Sequence, residues 1–296
     1  MSDTPDFQQE TCNILRTCLS PLPPQDAERL LARLQQTLHY EPVIGIMGVT
    51  GAGKSSLCNA LFQQPVCLTG DLTACTRMPQ RLTLSVGTHR MTLVDLPGVG
   101  ETPERDEEYQ RLYRSLLREL DLIIWVLRTD DRARGADIAA HRRLLTEGAD
   151  PSRFLFVLSR ADLVPPQPAG REGGLSQTQQ MSLAVLSAQA AGQFPSSFPV
   201  MAVSAHTGHN LPAFVELMLH ALPPRAAGTL YHQVRPENRT GESRTTAREA
   251  AGNMAGQAFD SVFNPDRYSP GWARLLRRLR RKLVRLVMRV WEKLAG

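Results

Sequence analysis

VIGIMGVTGAGKSSLCNALF, residues 43–62, joins a short apolar run to a helix-forming stretch through Gly48-Val49-Thr50-Gly51-Ala52-Gly53-Lys54-Ser55. The spacing is GxxxxGK[ST], set between strand and helix, and each residue type has a reason. Glycines let backbone N–H groups converge on an anion, and the helix N-terminus adds a partial positive charge. Lys54 neutralises β- and γ-phosphate oxygens, Ser55 reaches a magnesium ion, and Ser56 carries the loop into the helix. The segment predicts a phosphate-binding loop covering residues 48–56.

On either side, short apolar runs alternate with helical patterns. VIGIM at 43–47 leads into KSSLCNALF; LTLSV at 82–86 and MTLVD at 91–95 lead into DEEYQRLYRSLLREL; DLIIWVL at 121–127 leads into ADIAAHRRLLTEG. FLFVL at 154–158 precedes helical residues near 177–192, and FPVMAVS at 198–204 precedes NLPAFVELMLHAL. Such alternation predicts an α/β domain with a mainly parallel sheet flanked by helices. LTLSV and MTLVD are separated by too few residues for a helical crossover, so those two strands should be antiparallel neighbours. Before the domain, Leu30, Leu31, Leu34 and Leu38 recur at helical spacing behind Asp26, a candidate N-cap. The expected organisation is an N-terminal helical segment over 1–40, the α/β domain over 41–224, a flexible polar linker over 225–245, and a helical C-terminal extension over 246–296.

Asp95-Leu96-Pro97-Gly98 ends the MTLVD run and fits DxxG, 41 residues after Lys54. In a phosphate-loop protein that position supplies a carboxylate to the magnesium shell and a backbone N–H, from Gly98, to the γ-phosphate.

With these residues the chain resembles the Era/TrmE-like translation-factor class of P-loop GTPases over roughly residues 42–222. GVTGAGKS, the threonine-bearing loop DLTACTR at 71–77, DLPG, Ser159-Arg160-Ala161-Asp162 and Val203-Ser204-Ala205 fall in the order and strand-end positions of that class's five motifs. EPVIGIMG, ACTR and DLPGVGE look most like the YfjP/YeeP-like bacterial GTPases, often labelled ribosome-binding. The resemblance implies GTP and GDP as ligands, Mg²⁺ as cofactor, and a GTP-hydrolysing switch. It makes Thr76, with Thr73 as runner-up, the threonine that closes on the metal beside Ser55 and Asp95. It makes Lys54, Thr76 and Gly98 the catalytic set, Asp162 the reader of the guanine edge, and Ser204 with Ala205 the loop supporting the base.

Three departures qualify what is carried over. Ser159 and Arg160 replace the usual Asn and Lys of the base motif, which implies a weaker guanine preference, although the Arg160 stem can still stack on the base. Gly51 stands where potassium-activated relatives have Asn. Val99 follows the DxxG glycine where a water-positioning glutamine is found in Ras-like proteins, so intrinsic hydrolysis should be slow. The competing class is a nucleotide-binding scaffold without turnover, acting through its tail; a P-loop ATPase or kinase is disfavoured by DLPG and Asp162.

The composition is that of a globular chain: 296 residues, 42% hydrophobic and 21% charged. Its net charge of +5 is unevenly placed. Residues 271–296 carry nine basic side chains against Glu292 alone, a local +8 that leaves −3 for the remainder. On a helical wheel, Trp272, Leu275, Leu276, Leu279, Leu283, Leu286, Val287, Val290 and Leu294 gather on one side with most of the cations opposite, and Val284, Met288 and Trp291 flank them. Three readings stand open for this helix: docking on the body of the protein, lying on an anionic membrane surface, or contacting ribosomal or other RNA. A partner that raises turnover could be such a surface, or a second copy bound through the GTPase domain. Five cysteines form no CxxC pair, and no basic-then-apolar leader opens the chain. A cytoplasmic protein with reduced thiols is expected, with peripheral attachment at the inner membrane as the variant in which the tail binds lipid.

Overall fold

A computed structural model describes residues 13–66, 79–96, 115–131, 134–166, 174–264 and 267–295. After a helical stretch at 13–19, helix α1 runs Pro24–Leu38. Proline opens it at the first position, where its missing N–H is no loss. Asp26 sits in the first turn, where its charge favours the helix dipole, and Pro23 takes the N-cap position expected of Asp26. Strand β1 is Val43–Met47, helix α2 Lys54–Leu61, and strands β2 and β3 are Gln80–Val86 and His89–Asp95. Strand β4 is Leu122–Arg128, α3 Gly135–Thr146 and β5 Phe154–Ser159. Helix α4 is Gln177–Gln193, β6 Met201–Ala202 and α5 Leu211–Ala221. Helices α6, Ala227–Gln233, α7, Gly241–Val262, and α8, Pro270–Ala295, complete the chain.

The six strands form one sheet in the order β2-β3-β1-β4-β5-β6. All neighbours are parallel except β2 and β3, which pair antiparallel with Val86 opposite His89. Gly87 turns that hairpin at φ 58°, a left-handed conformation that suits glycine. Parallel strands are covered on both faces, and their sequences show it. Along β4, Leu122, Ile124 and Val126 enter one core while Ile123, Trp125 and Leu127 enter the other. The second core is closed by α3 and α4 through residues such as Leu144 and Leu183. The first is closed by α1, α2, α5 and the three C-terminal helices.

Residues 225–245 are not the flexible polar linker expected from sequence. Leu230 and Val234 are fully buried, Phe62 and Val234 form a bridge, and the Gln63 and Arg235 amides donate to Gln233 O and Leu61 O at 3.0 and 2.8 Å. Seven residues of helix satisfy their backbone locally, and their apolar side fills the space beside α2 and β3. The following PENRTG stretch is short-range structure as well: Thr240 and Ser243 cap the start of α7 reciprocally.

Helix α8 docks within the chain. Leu276, Leu279, Leu283, Val287 and Trp291 are buried, recurring every three to four residues against α7. Helix α7 meets them with small residues, Ala251, Gly252, Ala255 and Gly256. A Cβ on Gly252 would lie 2.8 Å from Met288 Cγ, so the close approach of the helices depends on that glycine. Arg280 forms a two-bond pair with Asp260 at 2.7 and 2.8 Å, and Trp291 packs over Gly228 and against Tyr231. Of the two tryptophans that the wheel sets within and beside the apolar side, Trp291 on the flank is 4% exposed and Trp272 43%. Among the described residues no helix is long and apolar enough to cross a membrane.

Candidate nucleotide site at the carboxyl ends of the strands

Strand β1 has parallel neighbours on both sides, β3 and β4, and its C-terminal end opens where chain connections leave to opposite faces. In open α/β sheets this is the place where ligands bind. The loop from Gly48 to Gly53 occupies it. Gly48, Gly51 and Gly53 all have positive φ, at 141°, 74° and 94°. A Cβ on Gly48 would come within 2.3 Å of Val126 O, so the loop can leave β1 against β4 only through glycine. Gly53 is the N-cap of α2, which places Lys54, Ser55 and Ser56 in its first turn with the helix N-terminus open toward the loop. Lys54 Nζ donates to Gly48 O at 2.9 Å, folding the ammonium back over the concavity.

Asp95 ends β3, opposite Ile46 of β1. Cys58, fully buried one turn into α2, feels both Asp95 and Lys54; burial, reinforced by the Asp95 charge, pushes its thiol up to about 12. That thiol is inert at neutral pH.

The base motif is built differently from its usual sequence but reaches the same loop. Ser159 Oγ donates to Ala52 O at 2.6 Å and lies 3.2 Å from Leu127 O. Arg160 takes a left-handed backbone, φ 59°, and its guanidinium donates to Gly51 O at 2.5 Å. Thr129 Oγ1 supports that turn by donating to Arg160 O at 3.2 Å. The serine therefore does what its short reach allows: it latches the phosphate loop to the end of β5, while the arginine stem spans the gap between β5 and the loop.

Ser204 Oγ donates to Asp162 Oδ1 at 2.6 Å, and the same oxygen accepts from the His206 and Thr207 amides at 3.2 and 3.1 Å. Asp162 is thereby oriented by a fully buried serine. Ala205 follows at the head of this turn. Two contributors were missed in the sequence. Asn210, at φ 57°, donates to Ala202 O at 2.9 Å and closes the loop at the start of α5; an Asn just before a helix was the available signal. Thr129 carried no sequence signal. Thr73, Thr76, Gly98 and Val99 lie outside the described residues. Behind the site, the Trp125 indole donates to Asp137 Oδ1 at 2.8 Å. Burial raises the Asp137 carboxyl above its ordinary range, with the Trp125 bond opposing.

Sheet order, phosphate loop and base-motif loops define a P-loop GTPase domain. A family model described as 50S ribosome-binding GTPase matches residues 43–159. YfjP of Escherichia coli K12 is 39% identical over 283 residues, covering 96% of this chain and 98% of that protein. YkfA of the same organism is 41% identical over 244 residues, 82% of this chain and 84% of the relative. GTPase Era of Thermoanaerobacter sp. strain X514 is 28% identical over 130 residues, 43% and 41% of the two chains. The chain belongs to the YfjP-like family of P-loop GTPases, and its likeness to YfjP, over 283 residues, reaches into the C-terminal helices.

Proposed function

We propose that this chain binds GTP and GDP at the carboxyl ends of β1, β5 and β6 and hydrolyses GTP slowly, as a nucleotide-dependent switch. One observation carries the reading. Three loops distant in sequence converge through Ser159 on Ala52, Arg160 on Gly51 and Ser204 on Asp162, which joins a phosphate cradle to a base pocket. One oxygen of Asp162 is occupied by Ser204, and the carboxylate retains acceptor capacity for the N1 and N2 hydrogens of guanine. The Arg160 stem covers a face of the base.

Ser55 and Asp95 bring a hydroxyl and a carboxylate, hard oxygen donors of the kind Mg²⁺ takes together with substrate phosphates. The donor set fits that ion, and Thr76 is the third residue assigned to it. Bound there, the metal would neutralise charge on the β- and γ-phosphates; Lys54 contributes the mobile counter-charge on the protein side. Val99 has no group to orient water, so turnover by the isolated protein should be slow.

Calorimetry on the full chain with GTP, GDP and ATP in the presence of Mg²⁺ tests the reading. Guanine nucleotides should bind more tightly than ATP. Equal affinity for ATP would remove the base assignment, and no binding of any of the three would remove the site.

A further inference from the structure

Helix α2 carries the phosphate loop at its amino end, and its carboxyl end is held by a distant part of the sequence. Its C-cap is Phe62 in an extended conformation, with no glycine there to turn the chain back onto the last carbonyls. Residues 235–238 meet those carbonyls instead, Arg235 lying 176 residues beyond Asn59. Arg235 Nε donates to Asn59 O at 2.9 Å and to Phe62 O at 3.0 Å. The Arg235 amide donates to Leu61 O at 2.8 Å, and Asn238 Nδ2 to Ala60 O at 2.7 Å. Two residues thus take four successive carbonyls, the set that a helix end leaves without intrahelical partners. The contact is returned by Gln63, whose amide donates to Gln233 O at 3.0 Å and whose Nε2 donates to His232 O at 2.7 Å. Arg239 fixes the same stretch by donating to Val234 O and His232 O at 3.0 and 3.3 Å.

We infer that Arg235 and Asn238 are positioning residues for the phosphate loop, setting nucleotide affinity through the carboxyl end of α2; the inference rests on the nucleotide reading above. Helix α2 has 8 residues, about 12 Å of rise, too little to absorb a displacement by bending. A shift at its carboxyl end is passed to Lys54, Ser55 and Ser56 in the first turn, and hydrogen bonds from that turn to phosphate oxygens weaken steeply with misalignment. Electrostatics act in the same direction. A phosphate at the amino end and a guanidinium at the carboxyl end both favour the helix dipole, so each stabilises the helix that the other uses. Eight residues do not hold a helix unaided. With its carboxyl end released, α2 frays, and part of the free energy of nucleotide binding goes into reordering it. Asn59 extends the effect: its carbonyl accepts from Arg235 while its side chain brackets Val66, donating to Val66 O at 2.8 Å and accepting from Val66 N at 2.6 Å. Among the described residues, no hydrogen bond joins 235–238 to the base-motif loops at Ser159–Asp162 and Ser204–Ala205. The hold on α2 therefore bears on the phosphates and not on the base.

The test is calorimetry of the full chain with GDP, GTP and ATP in the presence of Mg²⁺, alongside amide hydrogen exchange with and without GDP. Arg235→Met removes the charge and the Nε bonds but keeps an unbranched stem; it should weaken GDP and GTP binding about tenfold. Arg235→Lys still presents a cation to the same carbonyls and should return affinity to within about threefold of the parent. Asn238→Ala should weaken GDP binding about threefold. In all three the ratio of GTP to ATP affinity should match the parent, because the base loops are untouched. A general loss of structure would show neither the rescue by lysine nor the preserved ratio. In the parent, GDP should slow exchange across residues 57–63 and 232–238 as well as in the phosphate loop; in Arg235→Met the slowing should be confined to the loop. If Arg235→Met does not fold, Asn238→Ala and the exchange pattern of the parent decide. Parent-like GDP affinity in the substituted chains would overturn the inference, and so would a parent in which GDP leaves exchange at 232–238 unaltered. A parent that binds none of the three nucleotides would remove the site itself, and this inference with it.

Discussion

At the carboxyl ends of β1, β5 and β6, three loops are joined by side chains that bond to backbone or to one another: Ser159 to Ala52, Arg160 to Gly51, Ser204 to Asp162. In the α6–α8 layer, the chain is joined by apolar packing over glycine and alanine: Met288 over Gly252, Trp291 over Gly228, Leu283 fully buried. The first region is defined by directed bonds between few atoms. The second is defined by area, and its polar face is left over for solvent or a partner. Position in a motif therefore decides the first region, and periodicity decides the second. Substitutions should separate them, one class moving nucleotide affinity and the other moving stability.

The largest effect should come from the helical layer. Leu283→Ala removes a fully buried side chain at the α7–α8 seam and should destabilise the fold by about 2–5 kcal/mol, read by chemical denaturation, while nucleotide affinity of the folded fraction stays as in the parent. Lys54→Ala is the converse. Loss of the ammonium beside the phosphates should weaken GDP and GTP binding about 100-fold, with the unfolding midpoint of the nucleotide-free chain unchanged. A large stability loss in Lys54→Ala, or a large affinity loss in Leu283→Ala, would break the distinction.

Histidines provide a third comparison, because His141 and His232 are buried and His89 is half-buried against His232. Burial holds His89 and His141 down to about 4 and His232 down to about 3. The unfolded chain takes up protons at the ordinary histidine value, so between that value and about 4 the unfolded state binds more protons than the folded one. Stability should therefore be full above about pH 7 and fall as pH drops toward 4, visible as a declining melting temperature. His141, whose two ring nitrogens have no hydrogen-bond partner, should contribute measurably: His141→Leu should flatten the decline and gain about 1 kcal/mol near pH 5.

The smallest expected effect is the most informative about the base motif. Ser159→Ala leaves the fold intact and removes the latch on Ala52, and guanine nucleotide affinity should fall about tenfold or less. An unchanged affinity would mean that the latch does not shape the site.

Much of the first region was legible because its determinants are local. Gly48 to Ser55 fixes strand, loop and helix within a short stretch, and the short connection between β2 and β3 forces their antiparallel pairing. What sequence could not supply was the outcome of long-range geometry. Ser159 reads as a poor substitute for an amide until the distance to Ala52 is known. Residues 227–233 read as part of a polar connection because the partners that bury Leu230 and Val234, among them Phe62, are far away in the chain. For α8 the apolar period was plain, yet a wheel does not register what each turn meets, so Trp272, within the apolar side, is left exposed while Trp291, on its flank, is buried.

The central claim is that Asp162, held by Ser204, reads the base of a bound guanine nucleotide. Calorimetry of Asp162→Asn with GTP and xanthosine triphosphate tests it most directly, because an amide can donate to the xanthine carbonyl where the carboxylate accepted from the guanine amine. The variant should lose GTP affinity and gain xanthosine triphosphate binding comparable to what the parent shows for GTP. Undiminished GTP binding with no response to the xanthine nucleotide would contradict the account.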